Sequence, residues 1–243
     1  MLNQEQLNEL KKFDAPTICN AIEFFGIRPK TCGFMDTRVR KVFHNSARTI
    51  GYACTGKIST LHPPTEEQKK LNDLYYGKLH DSPKPTITVL QDLDPAPTGS
   101  FWGEVQATTH VALGCAGTVT SGGVRDLDEV EPLGFEYYAA AVLVSHAYVH
   151  LVEVGVPVDV GGLAVSPGEL VFADKHGIVL IPDKAAPYLA EACLAAAAAE
   201  QPVLVNCRKY FGSLVPMEDL KKWRAEMAQL RNEALEKFSK LVQ

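Results

Sequence analysis

The chain is short of most features that would assign it a function at a glance. Its six cysteines, Cys19, Cys32, Cys54, Cys115, Cys193 and Cys207, include no C-x-x-C pair. That excludes a zinc knuckle or a redox dithiol and leaves them as small core residues of a reducing compartment, none of them a nucleophile. Basic charge is scarce too. Lys and Arg total 24 against 29 Asp and Glu, a formal net charge of −5, so neither nucleic acid nor an anionic membrane is an expected partner. No apolar run approaches the roughly 20 residues of a membrane span, and the opening residues lack the basic and apolar regions of a secretion signal; a cytoplasmic protein is expected. There is no G-x-x-x-x-G-K-[ST], G-x-G-x-x-G or H-E-x-x-H motif, which removes nucleotide-loop and zinc-protease readings. What remains is a globular chain of 243 residues, 46% hydrophobic, long enough for a sizeable core.

Residues 3–12 predict a short polar helix, and a second follows Asp14-Ala-Pro16 and stops at Gly26. TIGYACTGKIS, residues 49–59, reads as a buried strand. Residues 65–79 read as a helix whose apolar face carries Leu71, Leu74 and Tyr75. Thr86 to Asp92 is the next strand. A helix capped at Ser100 puts Glu104 in or near a first turn. The strand carrying Gly122 and Gly123 then completes a strand, helix, strand succession. From 137 to 182 short strands alternate with turns, and VSHAYVHLV reads as one of them. Asp183 caps an alanine-rich helix running to about Glu200. Finally Leu220, Trp223, Met227, Leu230, Ala234, Phe238 and Leu241 recur at spacings of three and four, an apolar seam on one long helix that packs on its own domain or docks on a neighbouring subunit.

The informative segment is Thr118 to Asp126, with Glu129 beyond it. A β-branched run ends in two glycines and delivers a guanidinium beside a carboxylate at the end of a strand, where sites of α/β folds collect. A helix beginning near Gly103, Glu104 and Val105 offers backbone N–H groups and a positive dipole end to an anionic ligand, and Gly103 removes side-chain obstruction. Arg125 completes that cradle with a planar fork. Asp126 is the candidate ligand of a hard divalent cation, Mg2+ or Mn2+, with Glu104 and Glu129 reaching it through water. His146 and His150, four apart, lie on a strand in this reading and are not metal ligands. His176 and Lys175 fall in an exposed hairpin.

Gly103-Glu104, twenty intervening residues, Arg125-Asp126, two more and Glu129 make a pattern that resembles the RraA-like family, in particular its class II 4-hydroxy-4-methyl-2-oxoglutarate or 4-carboxy-4-hydroxy-2-oxoadipate aldolases. Residues 14–26 resemble that family's opening helix, 50–55 its first core strand, and Gly161-Gly162, Ser166 to Leu170 and Ala173 to Pro182 its closing strands. The resemblance implies an α/β/α sandwich with a swivelling-domain-like β core, an N-terminal helical cap and a C-terminal helical arm. On that scheme residues 1–200 form the main domain and 201–243 an extension. It also implies a homo-oligomer, trimer or hexamer, in which a neighbour's Glu200 helps order the metal's waters, and a small anionic 2-oxo acid as substrate. The implied reaction breaks the C3–C4 bond of a 4-hydroxy-2-oxo acid through a pyruvate-type enolate, with oxaloacetate decarboxylation as a second outcome; a noncatalytic regulator and an enolate-forming isomerase or hydratase are the alternatives. The regulatory branch lacks the acid after the arginine, so Asp126 sets this chain nearer the enzymes. The chain departs from the pattern between His62 and Lys84, which is longer, and at Lys84-Pro85, where a Gly-Asp pair is usual.

Overall fold

The computed structural model describes residues 1–242. They fall into two compact units, one formed by Met1–Cys32 and the segment from Pro182 onward, the other by Gly33–Ile181. In the first, α1 (Gln4–Leu10) opens with a reciprocal cap: the Asn3 side chain accepts the Gln6 N–H, and the Gln6 side chain accepts the Asn3 N–H, each at 2.9 Å. The Asp14 carboxylate caps α2 (Ala15–Glu23) through the Thr17 N–H. Gly26, at φ +64°, turns the chain out of it.

The second unit is built on a mixed sheet of nine strands that nearly closes into a barrel. Its strands and helices run β1 (Arg40–Lys41), β2 (Thr49–Ser59), α3 (Glu66–Lys69), α4 (Leu71–Asp81), β3 (Thr86–Asp92), β4 (Ser100–Trp102), α5 (Glu104–Ala112), β5 (Cys115–Val124), α6 (Leu127–Val130), β6 (Glu136–Val142) and β7 (His150–Val154). A separate two-stranded ribbon follows, β8 (Val158–Val160) with β9 (Leu163–Val165), and then the antiparallel pair β10 (Leu170–Asp174) and β11 (Gly177–Ile181). The order across the sheet is β1-β6-β5-β3-β2-β10-β11, with β4 on β5 and β7 on β2. The parallel strands β2, β3, β5 and β6 are its centre. The side chains of β2, β3 and β5 are largely buried on both faces, whereas β6 is buried only in its first half.

The second unit departs from local expectation at three places. Ser100 does not cap a helix: residues 100–102 form β4, and α5 starts at Glu104 with Gly103 as its cap. The helix expected over 65–79 is two, parted at Lys70, with Tyr75 and Leu79 inward and Leu74 outward. His146 and His150 do not share a strand. Residues 143–149 bond to other segments, Ser145 O to the Ser100 N–H and the Tyr148 N–H to Thr60 O, and Ala147 at φ +46° breaks the extended run.

The chain returns to the first unit with α7 (Leu189–Arg208) and α8 (Met217–Ser239). The alanine-rich helix is not capped by Asp183: a 3-10 turn, Ala186–Tyr188, precedes it, and it starts at Leu189 and continues past Glu200 through Pro202. Side-chain amides serve carbonyls on both sides of the proline, Gln201 donating to Ala197 O and Asn206 to Pro202 O. The seam on α8 is buried at Ala234 and Phe238, whose ring lies 6.4 Å from Phe24 and 5.5 Å from Phe25. Its first half stays half-buried, and Met217 is exposed. Among the described residues no helix is long and apolar enough to cross a membrane.

Candidate functional site

Strand pairing brings the site together. β3 accompanies β5 as far as Leu90 beside Thr120; beyond that β4 takes its place, with Ser100 beside Gly123 and Trp102 beside Val124. On the other flank β6 stays paired, Val124 beside Val142. The residues that leave β4 and β5 next, Gly103 and Arg125, therefore emerge together, and the Arg125 N–H donates to Trp102 O at 3.2 Å.

Asp126 sits in the left-handed region at φ +56°, a conformation that aspartate tolerates better than most residues, and caps the short α6. Its carboxylate turns back to α5, where Oδ2 accepts the Glu104 N–H at 2.9 Å. That is the service an N-cap side chain renders, supplied from another part of the chain because Gly103 has no side chain to offer. A Cβ on Gly103 would lie 2.5 Å from Asp126 Oδ2 and 3.1 Å from Arg125 Nε. A side chain at Gly103 would thus have to displace the Asp126 carboxylate. Gly122 and Gly123 serve neighbours within the fold instead: their missing Cβ atoms leave room for Asp92 and Leu143.

Arg125 Nε stands 3.8 Å from Asp126 Oδ1, both side chains about one-third exposed. Glu104 and Val105 are exposed in the first turn of α5, and Glu129 is exposed on α6. Beneath them, Trp102 Nε1 and the Tyr137 hydroxyl are buried with no hydrogen-bond partner among the described residues. Burial, and then the negative charge of Asp126 opposed by Arg125, pushes the Tyr137 phenol well above its ordinary value. Glu200 lies half-buried on α7 of the other unit.

Among the described residues no three His, Cys, Asp or Glu side chains converge to hold an ion by themselves. The donor set fits a hard cation that keeps most of its waters: one carboxylate for direct contact and two exposed carboxylates on flanking turns. It does not suit zinc, which takes three or four close protein ligands.

Sequence reasoning overlooked Asp92. It ends β3 at the rim of a cavity of about 590 Å³, lined also by Arg38, Asp94, Ser121 and Asp159, and by none of the predicted site residues. Its Oδ1 accepts the Asp94 N–H at 3.0 Å, while Oδ2 is buried without a partner among the described residues. Desolvation lifts the carboxyl to about 6. The signal was there in the sequence: an acid closing an apolar parallel strand, where α/β folds place their crevices.

The family model described as RraA-like, Aldolase/RraA, matches residues 15–180. An uncharacterised protein of Methanocaldococcus jannaschii is 25% identical over 190 residues, 76% of this chain and 80% of that one. A Halalkalibacterium halodurans protein with the provisional name 4-hydroxy-4-methyl-2-oxoglutarate aldolase is 30% identical over 71 residues, 29% of this chain. The chain spans only 34% of that protein's length, and 14% of protein DlpA of Legionella pneumophila, to which it is 24% identical over 86 residues. The solved structure of Streptomyces coelicolor RraAS2, described as an unusual member of the RNase ES inhibitor RraA protein family, superposes with a TM-score of 0.63 at 24% identity, covering 82% of this chain and 94% of that one. At that identity the likeness speaks for the fold. The match over 15–180 spans most of the chain, which therefore belongs to the RraA-like family, a family holding both aldolases and regulator-like members.

Proposed function

We propose that the chain is a divalent-metal-dependent lyase acting on a small 2-oxo acid, with Arg125 and Asp126 at its centre. The observation that carries this reading is the Asp126 carboxylate, tied to the Glu104 N–H at 2.9 Å beside a guanidinium and over a glycine whose Cβ would displace it.

Arg125 and the N–H groups at the start of α5, Val105 among them, bind the substrate carboxylate against the bare backbone of Gly103. Asp126 is the direct ligand of Mg2+ or Mn2+, and Glu104 and Glu129 orient water around it. The bound cation supplies Lewis-acid charge beside the 2-oxo group. As the C3–C4 bond of a 4-hydroxy-2-oxo acid breaks, its electron pair moves into the pyruvate enolate, whose developing oxyanion Arg125 faces. The proton of the 4-hydroxyl leaves to water held by Glu104, and a proton returned to C3 completes pyruvate. Oxaloacetate passes through the same enolate with loss of carbon dioxide. The functional form in this reading is a homo-oligomer in which Glu200 of a neighbouring copy adds a further contact with the metal's waters.

The test is pyruvate release from a panel of 4-hydroxy-2-oxo acids and oxaloacetate, with Mg2+, with Mn2+ and with chelator. Turnover that depends on the cation and is lost in Asp126→Asn supports the reading. Absence of turnover across the panel, or a product other than pyruvate, overturns it in favour of a noncatalytic or isomerising member of the family.

A further inference from the structure

Inside the long stretch between His62 and Lys84, α4 carries two adjacent tyrosines whose hydroxyls both reach α5. The Tyr76 hydroxyl donates to Gln106 Oε1. The Tyr75 hydroxyl lies 2.8 Å from His110 Nε2, and His110 Nδ1 lies 2.6 Å from the Gln106 main-chain oxygen. A carbonyl only accepts, so Nδ1 carries the hydrogen; Nε2 of the neutral ring then presents a lone pair, and Tyr75 is the donor. His110 and Tyr75 are wholly buried. The imidazole stands 4.6 Å from the Trp102 ring, the residue just before Gly103, and the Tyr75 ring meets Phe101 edge-on at 6.0 Å.

Both hydrogen-bond chains converge on Gln106, one on its backbone and one on its side chain. Gln106 is the third residue of α5, two beyond the Glu104 whose N–H holds Asp126. We propose that α4 is a brace: through Tyr75, His110 and Tyr76 it fixes the first turn of α5 and thereby the placing of the Asp126 carboxylate beside Arg125. The three are positioning residues, since none touches the site itself. The functional consequence rests on the reading of Arg125 and Asp126 given above; the mechanical one does not.

The mechanical test is amide hydrogen exchange of the full chain in Tyr76→Phe, Tyr75→Phe and the double variant. Each substitution removes one hydroxyl and leaves the ring packing. A brace predicts exchange about tenfold faster per lost bond over residues 104–107 and again over 125–130, with the strands of the sheet unchanged. Faster exchange confined to α4, or none, overturns it. The functional test compares half-saturating Mg2+ for pyruvate release. A rise of about tenfold with KM for the 2-oxo acid moved less than about twofold is expected, because the displaced group is the cation's ligand. An unchanged Mg2+ dependence in a variant whose 125–130 segment has loosened overturns the link to Asp126. A wild-type chain that turns over nothing sinks the lyase reading and leaves the exchange result to decide the brace. His110→Gln is the second variant, expected to loosen the same two segments.

Discussion

Asp126 Oδ2 and the Glu104 N–H, 22 positions apart in the chain, are joined at 2.9 Å. The bond does two jobs. It satisfies the first orphan donor of α5, and it orients the carboxylate so that Oδ1 is left on the side of the Arg125 guanidinium, 3.8 Å away. A helix terminus and an ion pair have thus been merged, and disturbing either disturbs the other.

Gly103→Ala is the sharpest probe of that merger. Gly103 has φ −161°, extended backbone that alanine adopts without strain, so the only obstacle is the new Cβ, 2.5 Å from Asp126 Oδ2. The colliding atom belongs to a mobile side chain, and the fold survives. Turnover should fall by about 10²–10³, the loss seen when one preorganised group at a developing oxyanion is removed, with the melting temperature within about 2 °C of the wild type. Kinetics and thermal denaturation of one preparation check both.

Asp126→Asn separates charge from geometry. Asparagine accepts the left-handed φ of +56° and keeps an oxygen for the Glu104 N–H, whereas alanine would add backbone strain to the lost carboxylate. Calorimetric titration with Mg2+ should show binding lost, while the unfolding midpoint shifts by less than about 2 °C. Full Mg2+ affinity in this variant would remove Asp126 from the metal site.

His110 makes stability depend on pH in acid. Burial lowers its folded-state value from 6.5 to about 4, opposed by the bond to Gln106. The unfolded chain therefore binds a proton between those values that the folded chain refuses. Stability is complete above about pH 6.5 and declines as pH falls toward 4, by up to about 3 kcal/mol from this residue. Urea denaturation at intervals from pH 7.5 to 4.5 should show the decline. His110→Gln should be less stable at pH 7.5 and show a flatter curve below 6.5.

Much of this was legible in the chain. The strands at 49–59 and 86–92, the helix following Asp14-Ala-Pro16 and the seam that reaches Phe238 announce themselves through local pattern: β-branched runs between turn residues, a proline in a first turn and three-four spacing. The meeting of Gly103, Glu104, Arg125 and Asp126 was readable because one helix and one strand of ordinary length return the chain to the same edge. β4 was not, being three residues long and held by its pairing with β5 rather than by its own composition. The Tyr75–His110 bond joins residues 35 apart across two helices and leaves no periodic trace. The unusual state of Asp92 arises from desolvation where β3 ends, a burial set by the packing of distant segments and not by its sequence neighbours.

Asp92 provides a pH response of opposite sign. Its carboxyl is raised from 3.8 to about 6, chiefly by desolvation, with the negative charge of Asp94 adding to the rise and the Asp94 N–H opposing it. The folded state then holds a proton that the unfolded state has released, so stability falls as pH climbs from about 4 to about 6 and stays lower above. An unscreened shift of that size would be worth about 3 kcal/mol, but the residue is only half-buried, and solvent screening reduces it to about 1 kcal/mol. Asp92→Asn keeps an acceptor for the Asp94 N–H and removes the charge that burial disfavours. It should stabilise the chain by about 1 kcal/mol at pH 8 and change nothing at pH 4. If the variant is instead weaker at pH 8, the ionised carboxylate has a favourable partner in solution, and the cavity it lines becomes the next place to look for a ligand.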